Sequence, residues 1–248
     1  MPKILLIETS TSLCSVALAA DGVIAAVRES TEPRAHAALT APFVKEVLDD
    51  CGLRAGELDA VCVSARPGSY TGLRVGVSTA KGICFAAGIP LLSVDTPEVL
   101  VHQACAEGLL PAGCRYVIPL VDARRMEVYT AVYTPDGQRL TEVEPRVVDA
   151  QSFAAERAAG PVLFIGDGAD KCREVLAGPD AHFVQTCPRA AAMGVPALRE
   201  FEAGRFRDTA YFERSTSSSS SPRSAARISS DLLFSSRFPK FGIWTGKY

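Results

Sequence analysis

The same run of elements is written twice in this chain, and that repetition restricts its fold more than any single motif. Residues 3 to 9 (KILLIET) form an apolar run of strand length, and LCSVALAADGVIAAVRE reads as a hairpin turning at Asp21-Gly22. A helix follows from about Ala35 to Cys51, with Leu39, Phe43, Val47 and Leu48 on one stripe and Gly52 as its stop. DAVCVSA is a buried strand, a glycine-rich helix succeeds it, IPLLSVDT is a strand, and Pro97 to about Glu107 is helical. In the second half YVIPLVDA is a strand, MEVYTAVYTPDGQRLTEV a hairpin around Asp136-Gly137, DAQSFAAERAAG a helix and VLFIGDGA a buried strand, with another helix beginning near Ala169. Both halves run βββαβα. The acid closing the first strand precedes the turn aspartate by 13 residues in one half (Glu8 to Asp21) and by 14 in the other (Asp122 to Asp136). Two strand meanders crossed by helices predict an α/β protein of two similar lobes.

The expected organisation is an N-terminal lobe over 1–110, a C-terminal lobe over 111–187, and residues 188–213 packing back on the first lobe. Residues 214–248 hold eleven serines and no apolar periodicity, so they read as a disordered basic tail. They carry six Lys/Arg against one acid, +5 of a net charge of −2, which leaves −7 on residues 1–213. An acidic body is a poor lone partner for nucleic acid. No apolar run reaches the ~18 residues of a membrane span, and the start MPKILLIETS lacks a signal-peptide core, so a cytoplasmic protein is expected. None of the eight cysteines forms a C-x-x-C pair, which favours reduced core thiols over a zinc site.

The stretch PGSYTGLRVGVSTAKG, residues 67–82, opens like a phosphate loop and continues as a helix. Gly72 and Gly76 lie inside that helix, at about 1 kcal/mol each against alanine. The Walker spacing fails, because Lys81 follows Gly76 by five residues and precedes Gly82. Ser69 or Thr71 therefore reads as a helix cap. Gly72, Gly76 and Ala80 share one helix face and would let a neighbour approach closely. That neighbour is either internal, such as the 35–51 helix, or another chain, and Arg74 beside the stripe suits an interface rim.

No G-x-S-x-G elbow is present, and His36, His102 and His182 form no H-x-x-x-H pair, so neither catalytic residues nor a metal site is assigned. Glu8 and Asp122 end the first strands of the two halves. They read either as strand-end caps or, with Thr9 and Ser10, as a weak nucleotide or anion site.

ILLIETSTSLCSVAL, RPGSYTGLRVGVSTAKG, VDARRMEVYTAVY and FIGDGA together resemble the TsaB (YeaZ) family in spacing and order, over about residues 3 to 213. The second element is the specific one. The resemblance implies the duplicated, ribonuclease H-like fold of actin, sugar kinases and heat-shock chaperones. It also implies a cytoplasmic, non-catalytic role in making threonylcarbamoyladenosine in tRNA. The implied partners are a catalytic TsaD-like paralogue and a TsaE-like ATPase, with tRNA met through the complex and a homodimer when the chain is alone. No cofactor is assigned to this chain, and ATP or ADP enters at the level of the complex. Partner binding would fall on the 35–51 and 69–87 helices, through His36, Leu39, Phe43, Ser69, Tyr70, Thr71, Gly72, Arg74, Gly76 and Ala80. Arg66 stands where many members have glycine, and the serine-rich tail is foreign to the family, which suggests a shifted reading frame. The competing readings are a self-sufficient small-molecule kinase or glycoprotease-like peptidase, and a tRNA binder acting through its basic tail.

Overall fold

The computed structural model describes residues 1–212; the serine-rich tail, with both readings of it, lies outside the described residues. The first repeat is built from β1 (Lys3–Glu8), β2 (Cys14–Ala20), β3 (Val23–Ser30), α1 (His36–Asp50), β4 (Ala60–Ser64), α2 (Tyr70–Ala87), β5 (Leu91–Val94) and α3 (Thr96–Ala106). These strands form one sheet in the order β3-β2-β1-β4-β5. The meander pairs are antiparallel, and β1-β4 and β4-β5 are parallel. Asp21 and Gly22 both take left-handed backbone (φ 55° and 76°), as a two-residue hairpin turn requires.

β1 is apolar throughout because both of its faces are covered. Leu5 and Ile7 pack with Val16, Leu18, Val47 and Val77 under α1 and α2. Ile4 and Leu6 pack with Ala17, Ala19, Met193 and Ala197 on the opposite face, beneath α6 (Gly194–Glu202) and the turn before it. Burying so continuous an apolar strand stabilises this half through the hydrophobic effect.

The second repeat runs β6 (Tyr116–Pro119), β7 (Val121–Asp122), β8 (Glu127–Thr130), β9 (Glu144–Val147), α4 (Ala154–Ala158), β10 (Val162–Gly166), α5 (Ala169–Leu176) and β11 (Ala181–Gln185). Its strands form two three-stranded sheets, β7-β8-β9 and β11-β10-β6. The single strand expected over YVIPLVDA is therefore split at Leu120. Pro119 has no amide for the ladder, and Leu120 bonds instead to Ile165 and Gly168, at 2.8 and 2.9 Å. Counting β6 and β7 as one bent strand, the order β9-β8-β7/β6-β10-β11 reproduces that of the first sheet.

The hairpin around Asp136-Gly137 is present: Tyr133 bridges Arg139, Thr134 bonds Gln138 across the turn, and the antiparallel pairing runs on into β8 with β9, past the expected end at Val143. Other expectations need correcting. The helix over 149–160 shrinks to α4. Asp149 and Ser152 satisfy each other there, and Phe153 is buried in left-handed backbone (φ 57°) against Phe164. β11 and α6 were not anticipated.

Candidate functional site

The stretch 67–82 settles onto the turn after β1. Ser69 caps α2, accepting the Gly72 amide at 3.4 Å, and its own amide donates to the Ser10 carbonyl at 2.6 Å. The Thr9 hydroxyl donates to the Gly72 carbonyl at 2.9 Å. A Cβ at Gly72 would land on the Thr9 carbonyl oxygen. One at Gly76 would land on the Thr9 hydroxyl oxygen, with Val63 Cγ2 3.4 Å away. The stripe Gly72, Gly76 and Ala80 is buried and faces inward. As bare partner-contact residues these three are corrected: the close neighbour is the β1–β2 turn of the same chain. That contact and its hydrogen bond offset the glycine cost.

Glu8 and Thr9 are fully buried, Thr9 against the first turns of α2, and Ser10 lines a cleft wall. Glu8 Oε1 accepts the Ser10 amide at 2.6 Å, while Oε2 has no hydrogen-bond partner among the described residues. Burial pushes the Glu8 carboxyl up to about 7, against the pull of the Ser10 amide and the nearby Ser10 and Ser64 hydroxyls, and the Asp167 charge raises it further. Of the residues read as an anion cradle, Thr9 is thus covered by α2 and Glu8 is buried at the end of β1.

Asp122 closes β7 and is tied down. It ion-pairs with Lys171, accepts the Arg124 amide at 2.8 Å, and donates its own amide to Asp167 Oδ1 at 2.9 Å. Partial burial alone would raise its carboxyl, but Lys171 and the Arg124 amide hold it below the ordinary range. Asp167, which the sequence reading missed, is raised by burial and by the Asp122 charge. Its only signal in sequence was its place in the turn after a buried strand. Among the described residues no group of three or more His, Cys, Asp or Glu is placed for a metal.

Between these parts lies a cleft of about 910 Å³. The β1–β2 turn (Ser10, Thr11), the approach to α1 (Arg34, His36), the start of α2 and the β7–β8 turn (Asp122, Arg124) line it. His36 sits at its edge with Nε2 3.3 Å from the Leu13 carbonyl. Arg66, flagged in the sequence, pairs with Asp95 at 3.5 Å, and Asp95 also holds Arg139 at 3.2 Å.

The outer face of α1 and α2 collects the rest. Tyr70, Thr71 and Arg74 are exposed, while Leu39 and Phe43 are half-buried, Phe43 against the core. Ser69 is exposed but engaged as the cap. Along α2 the face continues through Ser78 and Gly82 to Phe85, which is 87% exposed, and along α1 through Ala38 and Ala41.

The family model described as TsaD, tRNA N6-adenosine threonylcarbamoyltransferase, matches residues 24–197. The tRNA threonylcarbamoyladenosine biosynthesis protein TsaB of Escherichia coli K12 is 35% identical over 134 residues, 54% of this chain and 56% of that protein. The Bacillus subtilis protein of the same name is 32% identical over 178 residues, 70% of this chain and 74% of its own length. This chain therefore spans a little over half of the first relative and about three quarters of the second. The structure of YeaZ from Pseudomonas aeruginosa is similar at a TM-score of 0.73 and 27% identity, covering 85% of this chain and 97% of that one.

Proposed function

Because this chain belongs to the TsaB (YeaZ) family, we propose that it serves the biosynthesis of threonylcarbamoyladenosine in tRNA as a non-catalytic scaffold subunit. In this reading it binds a catalytic TsaD-like paralogue through the outer face of α1 and α2. A TsaE-like ATPase joins the pair, and tRNA is met through the assembly. The same face closes a homodimer when the partner is absent.

Phe85 is the observation that carries the reading. A phenylalanine 87% exposed, beside the small residues Ser78 and Gly82 on its helix face, gains roughly 1.5–3 kcal/mol when a partner covers it. Ala38, Ala41, Ser78 and Gly82 leave room for opposing helices to pack closely, and Arg74 supplies a rim cation. The strand-end acids are engaged internally, Asp122 with Lys171 and the buried Glu8 with the Ser10 amide, which favours a scaffold over a self-sufficient kinase or peptidase. The test is threonylcarbamoylation of tRNA with TsaD-like, TsaE-like and this protein, each omitted in turn. The reading expects modification to collapse without this chain and this chain alone to modify nothing. Unaltered modification in its absence, or turnover by the isolated chain, would refute it.

A further inference from the structure

Residues 205–212 form a strap that leaves α6, runs past β5 and comes to rest on α2. Arg207 holds it to β5, its amide donating to the Leu91 carbonyl and its Nε to Ser93 Oγ, each at 2.8 Å. Asp208 then closes a turn. Its Oδ1 accepts the Ala210 and Tyr211 amides at 2.8 and 3.1 Å, and its carbonyl accepts the Phe212 amide at 2.7 Å. From α2 the Lys81 ammonium donates to the carbonyls of Ala210 and Phe212, at 3.1 and 3.3 Å. Phe212 packs against the core cluster that holds Val77, Ala80 and Cys84. Tyr211, between the two pinned carbonyls, is 84% exposed.

The charges of the strap are spent within the chain. Arg205 pairs with Glu200 at 2.6 Å, Arg207 is held by Ser93, and Asp208 caps the turn. What the strap presents outward is therefore an aromatic ring. Lys81 precedes Phe85 by one helical turn, so the strap is pinned to the flank of α2 from which Phe85 projects. A tyrosine carried on a hydrogen-bonded turn loses little freedom when a partner covers it, and it joins a large apolar area to a polar tip.

We infer that Tyr211 is a second aromatic anchor for the TsaD-like partner, and that Lys81 and Asp208 are positioning residues that hold it beside Phe85. The inference rests on the docking of that partner on the outer face of α1 and α2, and it extends that face onto the strap. The partner surface that fits Tyr211 is an apolar recess with a hydrogen-bond acceptor at its floor for the phenol hydroxyl.

Titration calorimetry of the full chain with the TsaD-like protein tests this, after thermal melts have shown each variant to be folded. Tyr211→Ala should bind roughly tenfold more weakly than wild type, and Tyr211→Phe should lose less. Lys81→Met should also bind more weakly, whereas Lys81→Arg and Asp208→Asn, which keep the donor and the acceptor, should retain affinity. In a Tyr211→Ala background Lys81→Met should cost nothing further, because its effect passes through the ring that it holds. Full affinity of Tyr211→Ala beside a weakened Phe85→Asp would overturn the inference and leave the docking face standing. Absence of binding by wild type, or full affinity in both variants, would overturn the face and the inference together. An equal Lys81→Met loss with and without Tyr211 would overturn the positioning role. If Tyr211→Ala impairs self-association in sedimentation but keeps full affinity for the TsaD-like protein, the ring serves a second copy of this chain and the inference fails.

Discussion

Thr9 meets α2 twice, donating its hydroxyl to the Gly72 carbonyl and filling the space that a side chain at Gly76 would need. Replacing Gly76 with leucine therefore acts on folding. The added atoms would strike Thr9 and then Val63 and Ile7, all in the same chain. Gly76→Leu is expected to destabilise the isolated protein by about 1–3 kcal/mol or more in urea melts. A variant as stable as wild type would return the stripe to the surface. Glu8 gives a second residue-scale prediction. Its carboxyl titrates near 7 in the folded chain against an ordinary 4.5, so the folded state keeps a proton that the unfolded state has already lost. Glu8 thus opposes folding increasingly as pH rises from about 4.5 to about 7, and by a constant amount above, on the order of 3 kcal/mol. Glu8→Gln retains an acceptor for the Ser10 amide without the charge. Urea melts at about pH 5 and about pH 8 should show wild type losing more stability than the variant. Equal losses in the two proteins would mean that Glu8 is not held neutral.

α2 was legible as a helix over about 69–87 capped by Ser69 or Thr71, and the structure selects Ser69 as the cap and ends the helix at Gly88. Which of its faces looks inward was not legible. Periodicity groups Gly72, Gly76 and Ala80 on one side, but Thr9, the group packed against them, lies more than 60 residues away in sequence. The strands of the first sheet were readable because apolar runs and turn residues coincide, as at Asp21-Gly22. In the second repeat Pro119 breaks a continuous apolar run, and Asp149 with Ser152 withdraws five residues from a helix-like pattern. Both are local hydrogen-bonding effects that hydrophobic periodicity does not register. The half-exposed β11 alternates too little to be read as a strand, and the amphipathic α6 has no side-chain cap to mark its start. At this scale Thr9→Val should cost about 1 kcal/mol by removing the donor to Gly72. It should also speed amide exchange across 69–73. Unchanged exchange there would mean that α2 does not depend on the β1–β2 turn.

In the whole molecule α3 joins elements of both repeats. Gln103, fully buried on it, donates to Thr186 Oγ1 and accepts the Arg189 amide, each at 3.1 Å. Asp95 at its start ties the loop of Arg66 to the excursion carrying Arg139. Gln103→Leu should cost about 1–3 kcal/mol, because it strands the Arg189 amide, and calorimetric unfolding should show the loss. In the proposed function the outer face of α1 and α2 is the surface that meets the partner. The decisive measurement is calorimetric titration of the TsaD-like protein with wild type and with Phe85→Asp, after thermal melts have shown both to be folded. The account predicts that Phe85→Asp loses affinity by roughly tenfold or more, in keeping with an aromatic anchor at an interface centre. Equal affinity of the two proteins would contradict the claim that this chain docks its partner through that face.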